Sequence, residues 1–304
     1  MADICLLGTG GMLPLKERFL TSLYAEYNGK AVLIDCGEGT QVAIAKHGLK
    51  MSKIELILFT HCHADHVMGL TGLLLSIGNC SRTAPLDITA PKSCIGVIEK
   101  LMSICGGLPY EVRLHGVPED RPYAFNADMI DPMLTVKTLP LSHRVSCVGY
   151  SLILDKKPVF LPEKAKKLNI PVELWKRLHR GETVTLSDGR TVYPEAVTGE
   201  KKQPLKITST TDTLPIDEIV GFAESSDLFV CEGMYGLQDK KESMNEKHHM
   251  LMQDACNIAK KSGVNRLWLT HYSPAEKEPS VYEEELRKIF PETIISVDGE
   301  KITL

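Results

Sequence analysis

Six consecutive residues, His61-Cys62-His63-Ala64-Asp65-His66, put four side chains able to bind a metal within one short stretch. Imidazole and carboxylate groups suit zinc and its neighbours in the first transition series. An apolar run, Glu55–Thr60, leads in, and an apolar helical pattern, Val67–Ser76, leads out. In an extended approach alternate residues share a face, so His61 and His63 can converge on one ion. The turn into the helix can then aim Asp65 and His66 at a second. The chain holds only ten histidines, so three within six positions beside an aspartate argue against scattered surface residues.

Such a loop needs strands to hold it. Short runs rich in Ile, Val and Leu predict strands at Ile4–Leu7, Ala31–Ile34, Leu56–Phe59, Leu86–Thr89, Tyr150–Leu154, Leu205–Ile207, Leu228–Cys231, Leu267–Leu269 and Thr293–Val297. Apolar residues at three- and four-residue spacing predict helices over Val67–Ser76, Cys94–Ile104 and His249–Ser262, the last ended by Gly263. Strands and helices mixed through the whole length predict α/β layers. With 304 residues, 43% of them hydrophobic, the chain can bury one large core or two modest ones.

The stretch 156–203 breaks this rhythm with prolines, glycines and charges. A helix at Glu163–Leu168 and a hairpin at Thr183–Val192, with Asp188-Gly189 at its tip, fit within it. From Asp155 to Lys206 there are 12 Lys and Arg against 7 Asp and Glu, a local +5. The remainder carries 23 against 32, or −9. A basic block on a mildly acidic body suits a protein that grips a polyanion with one part only. No run of about 18 apolar residues occurs, so no membrane span is expected. The N-terminus reads as a first strand rather than a signal peptide. Nine scattered cysteines without a Cys-x-x-Cys pair argue against a disulfide framework and point to a reducing, cytoplasmic compartment.

The His-x-His-x-Asp-His pattern resembles the metallo-β-lactamase superfamily. The likeness narrows to the ribonuclease Z family, and runs nearly end to end. Gly8-Thr9-Gly10-Gly11 with Leu13-Pro14 and Arg18 looks like that family's opening loop, and Asp35-Cys36-Gly37-Glu38-Gly39-Thr40-Gln41 like its second motif. The resemblance implies a four-layer αββα sandwich over 1–304 with a protruding flexible arm at 155–204. It implies two zinc ions per subunit, held by His61, His63, Asp65, His66, His143, Asp212 and His271, with Asp212 bridging. Asp35 would orient a metal-bound imidazole. The implied activity is removal of the 3′ trailer from precursor tRNA, leaving a 3′ hydroxyl. Asp65 would take a proton, and His248, held by Glu232, would give one. Counting back from Gln253 and Ala255 selects His248 over its neighbour His249. The arm would grip RNA through Lys164, Lys166, Lys167, Lys176, Arg177 and Arg180, and a homodimer is implied. A small-molecule phosphodiesterase or lactonase on the same scaffold is the alternative reading. The chain departs from the family pattern at Val172-Glu173-Leu174, Thr211, Cys231, His249-Met250 and Pro274-Ala275-Glu276.

Overall fold

The structure is a computed structural model, and it describes residues 1–200, 202–236, 244 and 246–304. All nine apolar runs that the sequence marks as strands lie in or overlap observed ones. From the N-terminus, β1 (Ala2–Gly8), β2 (Ser22–Tyr27), β3 (Lys30–Ile34), β4 (Ile54–Leu58), β5 (Leu86–Pro91) and β6 (Val112–Val117) build one sheet. β7 (Tyr123–Asn126), β8 (Leu134–Pro140) and β9 (Val148–Leu154) open a second. A small hairpin follows, β10 (Val184–Thr185) with β11 (Thr191–Val192). The second sheet is completed by β12 (Leu205–Ser209), β13 (Leu228–Glu232), β14 (Leu267–Thr270) and β15 (Thr293–Ile295), and β16 (Glu300–Thr303) returns to the first. Each large sheet has seven strands, ordered β16-β1-β2-β3-β4-β5-β6 and β15-β14-β13-β12-β9-β8-β7. Strands β3 to β6 run parallel, and so do β12 to β15. Their carboxyl ends are where such sheets present a site.

The central strands of each sheet are buried on both faces. On the first, Leu7, Leu33, Ile57 and Ile88 pack under α1 (Thr40–Lys46), α3 (Leu70–Asn79) and α4 (Ile95–Ser103), with the one-turn α2 (Ala64–Val67) ahead of α3. Their neighbours Leu6 and Ile34 point to the opposite face and, with Leu23, border the same interior space as Val230 and Thr270 of the second sheet. The outer face of the second sheet packs under α7 (Glu218–Ala223), α8 (Met252–Ser262) and α9 (Glu283–Ile289). The result is two large sheets flanked by helices.

The helix expected at Val67–Ser76 is interrupted at Gly69. A Cβ there would sit 2.1 Å from the Gly37 carbonyl oxygen, so the metal loop and the Asp35 turn approach each other only because both glycines lack side chains. Gly263 is the left-handed cap expected after α8, with φ 60°.

The chain divides into two compact units, Met1–Ile153 with Lys206–Leu304, and Leu154–Leu205. The second unit carries α5 (Pro162–Lys167), α6 (Val172–His179) and the β10–β11 hairpin around its own small core of Ala165, Ile170, Leu178, Val184, Leu186, Val192 and Val197. Lys201, within the expected arm, lies outside the described residues.

Candidate metal centre

Every residue of the expected cluster follows a strand's carboxyl end. Asp35 succeeds β3, His61 to His66 succeed β4, His143 succeeds β8, Asp212 succeeds β12, and His271 succeeds β14. The first sheet and the second therefore each supply part of one cluster.

Two groups of side chains face each other across Asp212. His61, His63, His143 and Asp212 bring ligand atoms within 4.8 Å of one another, and so do Asp65, His66 and His271. Asp212 serves both: Oδ2 is 3.7 Å from the Nε2 atoms of His61 and His143, while Oδ1 is 3.1 Å from His271 Nε2 and 3.5 Å from His66 Nε2. Asp65 Oδ2 is 3.4 Å from His271 Nε2 and accepts the Met12 N–H at 2.6 Å.

One carboxylate organises two of the imidazoles. Asp35 accepts from His66 Nδ1 at 2.8 Å, which turns His66 Nε2 toward the cluster. Asp35 also accepts the Thr60 hydroxyl at 2.8 Å, and that hydroxyl oxygen is 3.1 Å from His61 Nδ1. With its proton donated to Asp35, the Thr60 hydroxyl is left to accept from His61 Nδ1, so His61 Nε2 keeps a lone pair. His143 is oriented in the same way by donating from Nδ1 to the His248 carbonyl oxygen at 3.0 Å.

Burial pushes the imidazole of His61 well below its ordinary range, lowers His63, and takes His143 down to about 4. These rings are neutral. Burial alone would raise Asp212 and Asp65, but the histidines around them hold both below the usual carboxylate range. His66 runs the other way: burial would lower it, yet Asp35 and Asp212 push it well above. His61 Nε2 is buried without a hydrogen-bond partner among the described residues. Ring nitrogens of His66 and His271 face each other at 3.1 Å, those of His63 and His143 at 3.2 Å. Converging lone pairs beside buried carboxylates call for positive charge. The donor set fits a metal site.

The expected pairing of Glu232 with His248 requires correction. Glu232 Oε2 accepts from His249 Nδ1 at 2.9 Å, and its Oε1 accepts the Thr213 N–H at 2.5 Å. The physical reason is a left-handed residue. His248 has φ 56°, which turns the chain so that the next side chain faces the cluster. The His249 ring lies 5.2 Å from that of His143 and 5.9 Å from that of His271. Burial would lower His249, but Glu232 raises it to about 9, while burial raises Glu232 itself. Counting from Gln253 set the sequence reading one residue early; Ala255, Ile258 and Ala259 on the buried face of α8 give no means of choosing between adjacent histidines.

Of the expected RNA contacts, Lys164, Lys166, Lys167, Lys176, Arg177 and Arg180 are all exposed. Lys166 pairs with Glu163 and Arg177 with Glu182. Lys167, Lys176 and Arg180 make no ion pair among the described residues.

The family model described as anti-Pycsar protein Apyc1 matches residues 2–166. The ribonuclease Z of Lachnoclostridium phytofermentans is 41% identical over 304 residues, covering 100% of this chain and 98% of its own. That of Clostridium acetobutylicum is 44% identical over 303 residues, covering 98% of this chain and 96% of its own. Among solved structures, the short form of human tRNase Z superposes with a TM-score of 0.70 at 23% identity, covering 99% of this chain and 98% of its own. A metallo-β-lactamase fold protein of Bacillus subtilis gives 0.70 at 16% identity, covering 99% of this chain and 98% of its own.

Proposed function

The chain belongs to the ribonuclease Z family, with residues 2–166 also falling to the Apyc1 family, and from that premise we propose how it works as a metal-dependent endoribonuclease. Its substrate is precursor tRNA, from which it removes the 3′ trailer and leaves a 3′ hydroxyl. The metal is zinc, two ions per subunit. His61, His63, His143 and Asp212 would hold one, and Asp65, His66, His271 and Asp212 the other. The observation that carries this assignment is the division of the Asp212 oxygens between the two histidine groups.

When bound, zinc supplies Lewis-acid polarisation of a phosphoryl oxygen and a lowered pKa for water. The chain's own residues then orient and move protons. Asp65, fixed by the Met12 N–H, accepts a proton from the attacking water. His249, charged because the buried Glu232 stands against it, donates a proton to the leaving 3′ oxygen. Asp35 and Thr60 keep His66 and His61 turned inward. The exposed cations of α5 and α6 bind phosphates of folded RNA. The protein works in the cytoplasm as a homodimer. The free state of all nine cysteines supports a reducing compartment, and no helix among the described residues is long and apolar enough to cross a membrane.

A small-molecule hydrolase on the same scaffold is not favoured, since relatives at 41 and 44% identity over nearly the whole chain are ribonucleases Z. The test is to incubate the purified protein with a precursor tRNA and map the cut. Cleavage at or next to the discriminator base, lost in His63→Ala, is expected. RNA left intact by a protein that still hydrolyses a small phosphodiester would overturn the reading.

A further inference from the structure

The edge strands of the two sheets, β6 and β7, carry side chains that the metal centre does not use. A cavity of about 510 Å³ opens there, lined by Thr89, His115, Tyr123, Phe125 and Asn126 among others. That volume falls in the range of small-ligand sites. Two of its features point to one kind of occupant.

The first is an aromatic platform. The rings of Tyr123 and Phe125 lie 6.3 Å apart and nearly parallel, at 28°, and Tyr123 is 44% exposed. Side chains two apart on a strand share a face, so the two rings present one apolar surface at a sheet edge. The second is an oriented polar edge. His115 Nε2 donates to the buried carboxylate of Asp87 at 2.6 Å, while the His115 side chain itself is 51% exposed. With Nε2 carrying the proton, Nδ1 remains an acceptor. An aromatic face beside an oriented acceptor suits a nucleobase, since a base stacks on its face and presents N–H donors at its edge.

We propose that this cavity binds one unpaired nucleobase of the RNA strand. The inference rests on the reading that the substrate is RNA. The place in the fold suits it. Thr89 on β5 pairs with Leu58 on β4 and with His115 on β6, and β4 runs directly into His61. The cavity therefore lies two strands over from the metal loop, roughly 10 Å at the usual strand spacing. A single strand leaving the metal centre could reach it, which makes the 3′ trailer its occupant.

The test is equilibrium binding of a fluorescent six-residue oligoadenylate, followed by anisotropy, to the wild-type protein and to Tyr123→Ala, Tyr123→Phe and His115→Ala. Loss of one stacked base is worth about tenfold in affinity. Tyr123→Ala should weaken binding by about that factor, and His115→Ala by about threefold to tenfold. Tyr123→Phe, which keeps the ring, should stay within about twofold. Melting temperature and zinc content, read on the same samples, report whether each variant is folded and metallated. Wild-type affinity in a folded Tyr123→Ala variant overturns the proposal, and so does absence of oligoadenylate binding by the wild type. Failure of the tRNA reading has its own signature, an uncut precursor tRNA, whatever the anisotropy shows.

Discussion

His249 Nδ1 lies 2.9 Å from the carboxylate of Glu232, a residue with no exposed surface. Among the described residues its neighbour His248 contributes to the centre only a backbone carbonyl, which accepts from His143. The two histidines should therefore separate cleanly. Single-turnover cleavage of precursor tRNA is expected to slow by about 10²- to 10⁴-fold in His249→Ala, the usual weight of a general acid. Glu232→Gln should show a comparable loss. His248→Ala should stay within about threefold. A greater loss in His248→Ala than in His249→Ala would reverse the assignment.

Thr60 sits between Asp35 and His61. Thr60→Val keeps the shape and removes the hydroxyl, and Asp35→Ala removes the orienting charge from both imidazoles. Loss of such a partner costs about 10- to 100-fold in metal affinity. Competition with a chromogenic chelator should show the smaller figure for Thr60→Val and the larger for Asp35→Ala. Equal affinity in Asp35→Ala and wild type would remove Asp35 from this role.

Gly11 is pressed against the last imidazole of the cluster. A Cβ at this position would lie 2.5 Å from His271 Cε1. Gly11→Ala should push that ring out of line while leaving the fold intact. Metal analysis after gel filtration is expected to find less than the wild-type metal content per chain, with an unchanged far-ultraviolet spectrum. Full metal content with full activity would refute the prediction.

The Leu154–Leu205 unit packs around its own apolar cluster. A variant lacking Lys156–Gln203 should raise the KM for precursor tRNA by at least about tenfold, yet hydrolyse bis-p-nitrophenyl phosphate at close to the wild-type rate. The triple change Lys167→Glu, Lys176→Glu and Arg180→Glu should do the same and flatten the salt dependence of binding. Equal loss of both activities on deletion would count against an RNA-gripping role.

Cysteine labelling has a clear order. Cys80 is exposed, whereas burial pushes the thiols of Cys5 and Cys256 up to about 11, and that of Cys36 up to about 12. The thiolate is the reactive form, so near pH 8 the buried thiols hold only a small reactive fraction. Iodoacetamide at that pH should modify Cys80 well before the other three by peptide mass mapping. Faster labelling of Cys36 than of Cys80 would contradict this burial.

Much of the candidate centre was legible because its metal-capable side chains are rare residue types at strand ends. The His61–His66 run needed no tertiary information, and the apolar strands ahead of Asp212 and His271 marked where those residues would emerge. What escaped was set by backbone geometry. The left-handed turn at His248 places the ring of His249, one position on, against Glu232. The part played by Met12 depends on a main-chain N–H, which every non-proline residue offers, so nothing in its side chain announces it. Strands β6 and β7 were missed because Val112–Val117 interleaves Arg113 and His115 with apolar residues as sheet edges do, and Tyr123–Asn126 is only four residues long. Helix α6 was missed because Val172–His179 is only eight residues long, and its apolar stripe of Leu174, Trp175 and Leu178 sits within a stretch dominated by charges and prolines.

The centre is drawn from both sheets, with His61 to His66 on one side and Asp212, Glu232 and His271 on the other. It is a seam rather than a pit in one wall. A slip of one sheet past the other by a single ångström would part the groups that have to act together. Leu6, Leu23 and Ile34 border the same interior space as Val230 and Thr270, so packing there bears on how the two halves of the centre line up. On warming, activity should fail before secondary structure melts.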